Sequence, residues 1–131
     1  MSGLENKIDY FRSALERLKE SAKVDVTDSV IMDGVIQRFE FTFELAWKTL
    51  KAFIEYKGFS VPVSPRDILK DAYAAGIITD GDTFIKMLTD RNISSHTYDE
   101  EMAYELYGRI KDRYLSIFSD LLEYIEKETN S

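Results

Sequence analysis

Val35 to Ile54 reads VIQRFEFTFELAWKTLKAFI, and the spacing of its apolar residues decides the fold. At roughly 100° per residue, Val35, Ile36, Phe39, Phe43, Ala46, Trp47, Leu50, Phe53 and Ile54 fall within an arc of roughly 120°. Glu40, Glu44, Lys48, Lys51 and Glu55 occupy the opposite face. One side buried and one side charged is the pattern of a long helix packed against others. It should begin near Thr27 or Asp28 and stop at Gly58, after Tyr56. Phe41 and Leu45 belong to neither group. Four residues apart, with Arg38 beside them, they form a separate apolar flank, to be covered either by a partner chain or by a neighbouring segment.

The same periodicity extends outward in both directions. Leu4, Ile8, Phe11, Leu15 and Leu18 share one narrow stripe, so a first helix buries a single face; Ser2 with Glu5 has the capping-box spacing to start it. Val24 to Val26 is too short for a strand and reads as a connector. Ser64, Pro65 and Asp67 open a short helix that Gly76 ends. Thr79-Asp80-Gly81-Asp82 is a turn that starts another helix, carrying Phe84, Ile85 and Leu88. Thr97 with Glu100 should cap the last helix, whose buried stripe runs Ala103, Leu106, Tyr107, Ile110, Tyr114, Ile117, Phe118, Leu121 and Ile125. Short connections between two helices of about 30 residues predict an all-α fold, an antiparallel up-and-down four-helix bundle with one extra short helix. Residues 1–131 read as a single domain without repeats or linkers.

Composition narrows the function. With 131 residues, 44% of them hydrophobic, and seventeen Phe, Tyr and Trp, the chain can fill one core. It has no cysteine, which excludes disulfides and thiolate chemistry, and its one histidine argues against a zinc site. No Gly-rich phosphate loop precedes a helix, so a P-loop ATPase is excluded. Met1 to Lys7 has no signal-peptide pattern and no apolar run approaches membrane-spanning length, so a cytoplasmic protein is expected. A net charge of −7 disfavours a broad basic surface that coats nucleic acid. It leaves room for a single cationic pocket. Asp80-Gly81-Asp82 superficially suggests a metal site, but helix capping explains it better.

One stretch has the residue types for chemistry: Arg91-Asn92-Ile93-Ser94-Ser95-His96-Thr97-Tyr98. Asn92 and His96 are four apart and would share a helical face. Arg91 and His96, five apart, stand about 140° around an ideal helix and converge only if it bends or the arginine reaches across. A histidine near neutrality can take a proton from a ribose 2′-hydroxyl. An arginine fork can hold a phosphate and offset charge in the transition state, with no metal or cofactor required. Spacing alone, however, favours an ordinary helix junction in which Arg91 pairs with a carboxylate and His96 caps a helix.

Arg91, four residues, His96, one residue and Tyr98 match the Arg-x4-His-x-Tyr motif of HepT-like proteins of the HEPN superfamily, and Asn92 matches the usual HEPN pattern. Val35 to Lys48 resembles the second helix of nucleotidyltransferase substrate-binding proteins, and the likeness extends over nearly the whole chain. The resemblance implies a homodimer that brings two Arg-His motifs together, paired with a separate minimal nucleotidyltransferase as a toxin–antitoxin system. It further implies a metal-independent ribonuclease with Arg91 and His96 catalytic and Asn92 orienting, silenced when the partner transfers AMP to Tyr98. The competing implication is a non-catalytic subunit that binds a nucleotide or other substrate for the nucleotidyltransferase.

Overall fold

The structure is a computed structural model that describes residues 3–23, 28–94 and 99–130. Helices α1 (Gly3–Ala22), α2 (Ser29–Tyr56), α3 (Pro65–Ala74) and α4 (Gly81–Ser94) are followed by α5 (Glu100–Arg109), a π-helical segment (Ile110–Tyr114) and α6 (Leu115–Thr129). The last three join without a break, so Glu100 to Thr129 forms one rod. The expected helices are all present, and no strand occurs among the described residues.

Helix ends follow local chemistry. Asp28 caps α2 by accepting the Val30 N–H at 2.8 Å. Ser64 caps α3 by accepting the Asp67 N–H at 3.2 Å, with Pro65 in the first turn. Gly58 (φ 93°) and Gly76 (φ 77°) end α2 and α3 in the left-handed region. There the N–H groups of Phe59 and Ile77 reach back to the carbonyls of Ile54 and Ala72 at 3.3 and 2.9 Å, satisfying groups the helix itself leaves unpaired. The last helix departs from expectation. Its cap is Asp99, which accepts the Met102 N–H at 2.9 Å, rather than Thr97; an aspartate two residues on is an equally good cap. Ser2, Val24 to Val26 and Thr97 lie outside the described residues.

Long-range contacts set the directions of the helices. Buried Thr42 and Thr49 donate to the carbonyls of Ala14 and Lys7 at 3.4 and 3.2 Å, and Arg38 donates to that of Arg17 at 2.9 Å. Numbers fall along α2 as they rise along α1, so these two helices are antiparallel. Phe39 packs on Tyr114 and Phe118, Phe53 on Tyr124, and Lys57 pairs with Glu128, so α2 and the rod run the same way. Helix α4 opposes both: Arg91 and Ser94 meet Glu44 and Glu40, while Asp80 and Asp90 meet Arg113 and Arg109. The result is the up-and-down bundle the sequence predicts, with α3 as the extra helix.

The predicted stripes of α1 and the rod are all buried, and they join the α2 arc in one cluster. Trp47 alone in that arc is only partly covered. The Phe41–Leu45 flank divides: Leu45 packs against the core, whereas Phe41 is 60% exposed. Phe39 is fully buried, stacked on Tyr114 at 5.5 Å between ring centroids. Phe39→Ala should cost about 3–5 kcal/mol in urea unfolding, since the surrounding rings cannot collapse into the space; a loss below about 1 kcal/mol would refute Phe39 as the packing centre.

Asp80 caps α4, accepting the Thr83 N–H at 3.1 Å and its hydroxyl at 2.7 Å, and pairs with Arg113. Capping, not metal binding, thus accounts for the Asp80–Asp82 turn. Hydrogen bonds from Thr83, with Arg113 behind them, outweigh the effect of burial and hold the Asp80 carboxyl below its ordinary 3.8. A depressed carboxylate stabilises the fold above its unfolded-state pKa and loses that contribution as pH falls through the lower folded value. Asp80→Asn should therefore lower stability at neutral pH, and its deficit relative to wild type should close in acid below 3.8. A deficit independent of pH would mean the charge does not matter.

Candidate functional site

The site lies where the C-terminal turn of α4 crosses the polar stripe of α2. Sequence periodicity assigned Glu40 and Glu44 to the face opposite the core, and the structure covers both with α4. The Arg91 Nη2 lies 2.5 Å from Glu44 Oε2, and its Nη1 donates to Asn92 Oδ1 at 3.2 Å. Glu44 Oε2 also accepts from the Trp47 indole at 3.1 Å, and its Oε1 lies 3.3 Å from the Lys48 ammonium. Ser94 Oγ stands 2.6 Å from Glu40 Oε2 and 3.1 Å from the Arg91 carbonyl.

Arg91 therefore emerges from the negative end of α4 with its guanidinium about one-third exposed and pre-aimed by a carboxylate. Such a group can take a phosphate oxygen while Glu44 keeps the fork from swinging away. Of the predicted set, the structure brings Arg91 and Asn92 together; His96 and Tyr98 lie outside the described residues.

A second polar group lies behind the first. Asp90, only 5% exposed, receives Nε and Nη2 of Arg109, both at 3.0 Å, and the hydroxyl of Tyr114. Lys86 approaches the same carboxylate at 3.9 Å. Burial, then the hydrogen bond to the carboxylate, pushes the Tyr114 phenol well above its ordinary 10, so it remains a donor throughout the physiological range. Among the described residues no buried side-chain nitrogen or oxygen lacks a partner, and no cluster of three or more His, Asp or Glu is placed to hold a metal.

Sequence reasoning missed Glu40, Glu44 and Asp90. The available signal was indirect: a tyrosine inside a buried stripe, Tyr114, needs a buried acceptor, and two glutamates four apart on a bundle helix must face something.

These features define an all-helical bundle with an arginine-bearing helix exit held against its second helix. A family model described as nucleotidyltransferase substrate binding protein like matches residues 6–127. Probable ribonuclease HepT from Haemophilus influenzae is 34% identical over 111 residues, covering 79% of this chain and 75% of that protein. A solved Haemophilus influenzae structure, presented as the fold of a substrate binding domain of a nucleotidyltransferase, aligns with a TM-score of 0.79 and 28% identity, covering 91% of this chain and 98% of that one. An AMPylated Shewanella oneidensis HEPN toxin in complex with an MNT antitoxin aligns with a TM-score of 0.80 over 97% of this chain and 99% of that one; at 21% identity it supports the fold alone. The chain belongs to the nucleotidyltransferase substrate-binding protein-like family and is HepT-like within it.

The two carboxylates should differ in their effect on stability. Glu44 and Arg91 are both partly solvated, so Glu44→Ala should cost less than about 1 kcal/mol. Asp90 is buried, and removing it strips Arg109 and Tyr114 of their acceptor, so Asp90→Ala should cost about 3 kcal/mol or more. Chemical denaturation of both variants checks the order, which would be refuted if Glu44→Ala proved the costlier.

Proposed function

We propose that this chain is a HepT-like ribonuclease toxin that cleaves RNA without a metal, and that a minimal nucleotidyltransferase antitoxin silences it by transferring AMP to Tyr98. The observation that carries this reading is the Arg91 guanidinium, set at the exit of α4 by Glu44 and Asn92 and followed at the motif spacing by His96 and Tyr98. The HepT relative, named as a ribonuclease, supports it.

In the proposed reaction His96 takes the proton of a ribose 2′-hydroxyl, and that oxygen attacks the adjacent phosphorus. The bond to the 5′-oxygen breaks, leaving a 2′,3′-cyclic phosphate, and the departing 5′-oxygen takes up a proton to become a hydroxyl. Arg91 offsets the charge that grows on the non-bridging phosphate oxygens. A homodimer that pairs two such motifs would place a second histidine to return the proton. AMP on Tyr98, two residues from His96, adds bulk and negative charge where an RNA phosphate must lie, and so repels it.

The family description favours a second reading, in which the chain binds a nucleotide or other substrate for the nucleotidyltransferase and breaks no bond. A cleavage assay in the presence of a chelator, comparing wild type with His96→Ala, separates the two. Cleavage by wild type only is expected; no cleavage by either, across several RNA classes, would favour the binding subunit. Incubation with the nucleotidyltransferase and ATP should add AMP to wild type and not to Tyr98→Phe; modification at another tyrosine would overturn that assignment.

A further inference from the structure

Asp90 is the one buried charged side chain among the described residues, and it directly precedes Arg91. Consecutive helical residues point about 100° apart. Thus α4 is held on two sides at this point: Asp90 grips the rod while Arg91 and Ser94 grip α2.

The rod's grip depends on a local irregularity. Arg109 and Tyr114 are five residues apart, which in an ideal α-helix would set them about 140° apart, so that only a long reach by the arginine would bring both to one carboxylate. Between them the chain adopts π geometry over Ile110–Tyr114, with the Leu115 N–H bonding the Ile110 carbonyl. A π turn closes an i→i+5 backbone bond and so swings residues five apart closer to a common side, and such turns are frequent at functional sites. The result is that Arg109 Nε and Nη2 and the Tyr114 hydroxyl all reach Asp90. Tyr114 is in turn immobilised by its stack on Phe39.

We propose that Asp90, gripped by Arg109 and Tyr114 across the π segment, is a positioning residue that sets where Arg91 presents its guanidinium. The proposal rests on the ribonuclease reading for its catalytic consequence, though not for its structural one. Asp90 touches no substrate. It fixes the backbone one residue before Arg91, and an arginine displaced by about 1 Å can lose on the order of a hundredfold in rate. The effect should fall on kcat rather than KM, because the arginine acts on charge that grows in the transition state.

The test is Tyr114→Phe in the full-length protein, which removes one hydroxyl and leaves the ring on Phe39. A control, Phe53→Leu, perturbs the core away from Asp90, and the two are compared at matched losses of thermal stability. Two measurements are made: steady-state kinetics of metal-free RNA cleavage, giving kcat and KM, and the NMR signal of the Arg91 Nε–H, assigned with Arg91→Lys. We expect Tyr114→Phe to lower kcat about tenfold with KM within about twofold, and to shift or broaden the Arg91 signal while that of Arg12 stays in place. Phe53→Leu should change neither. Unchanged kcat in Tyr114→Phe, or an equal loss in Phe53→Leu, would overturn the proposal. If wild type does not cleave RNA, the ribonuclease reading fails. The Arg91 signal then decides the positioning role alone: a shift in Tyr114→Phe supports it and an unmoved signal overturns it.

Discussion

Phe39 is buried to zero exposure in the middle of α2, ringed by Phe43, Tyr114 and Phe118. The burial of the apolar arc around it is the constraint on which the other helices depend. A helix with a broad apolar stripe cannot expose it to water, so it must be covered from several sides. Helices α1 and α6 and the π segment bring Phe11, Phe118 and Tyr114 to that arc. Helix α4 adds Phe84, Met87 and Leu88 to the same core and lays its last turn over the polar side of α2.

Apolar packing demands coverage but tolerates sliding; the polar contacts do not. Thr42 and Thr49 place hydroxyls in the α1–α2 seam, where each donates to a carbonyl of α1. Shifting the helices by a turn would take that acceptor from the Thr49 hydroxyl at an energetic cost, whereas Thr42 would keep its 2.7 Å bond to the Arg38 carbonyl of its own helix. Asp90 does the same between α4 and the rod, with higher stakes because it is charged. The Asp90–Arg109 bonds at 3.0 Å therefore specify a register that the surrounding Leu and Ile side chains alone would leave loose.

The candidate site follows from this order of dependence. Arg91 projects from the same turn of α4 that Asp90 anchors, toward a glutamate on the helix that organises the core. Its charge is offset and its direction constrained in a chain whose net charge is −7. That arrangement is a single held cation, not a continuous basic track for nucleic acid. It agrees with the composition, which already spoke against a broad basic surface. Within the HepT-like family, the chain thus combines an acidic exterior with one arginine held ready at a helix exit.

The helices, their stops at Gly58 and Gly76, the buried stripes and the up-and-down class were legible in the sequence, because these depend on periodicity and on local backbone chemistry. It also singled out Arg91, Asn92, His96 and Tyr98, though through a motif resemblance and not through spacing. That Glu44 is a partner of Arg91, that Asp90 is buried, and that the last helix widens into a π turn beside it follow from how the helices pack. Arg91 and Glu44 are separated by 47 residues and Asp90 and Tyr114 by 24. A charged residue in a helix looks the same in sequence whether water or another helix lies opposite it, and packing alone makes that choice.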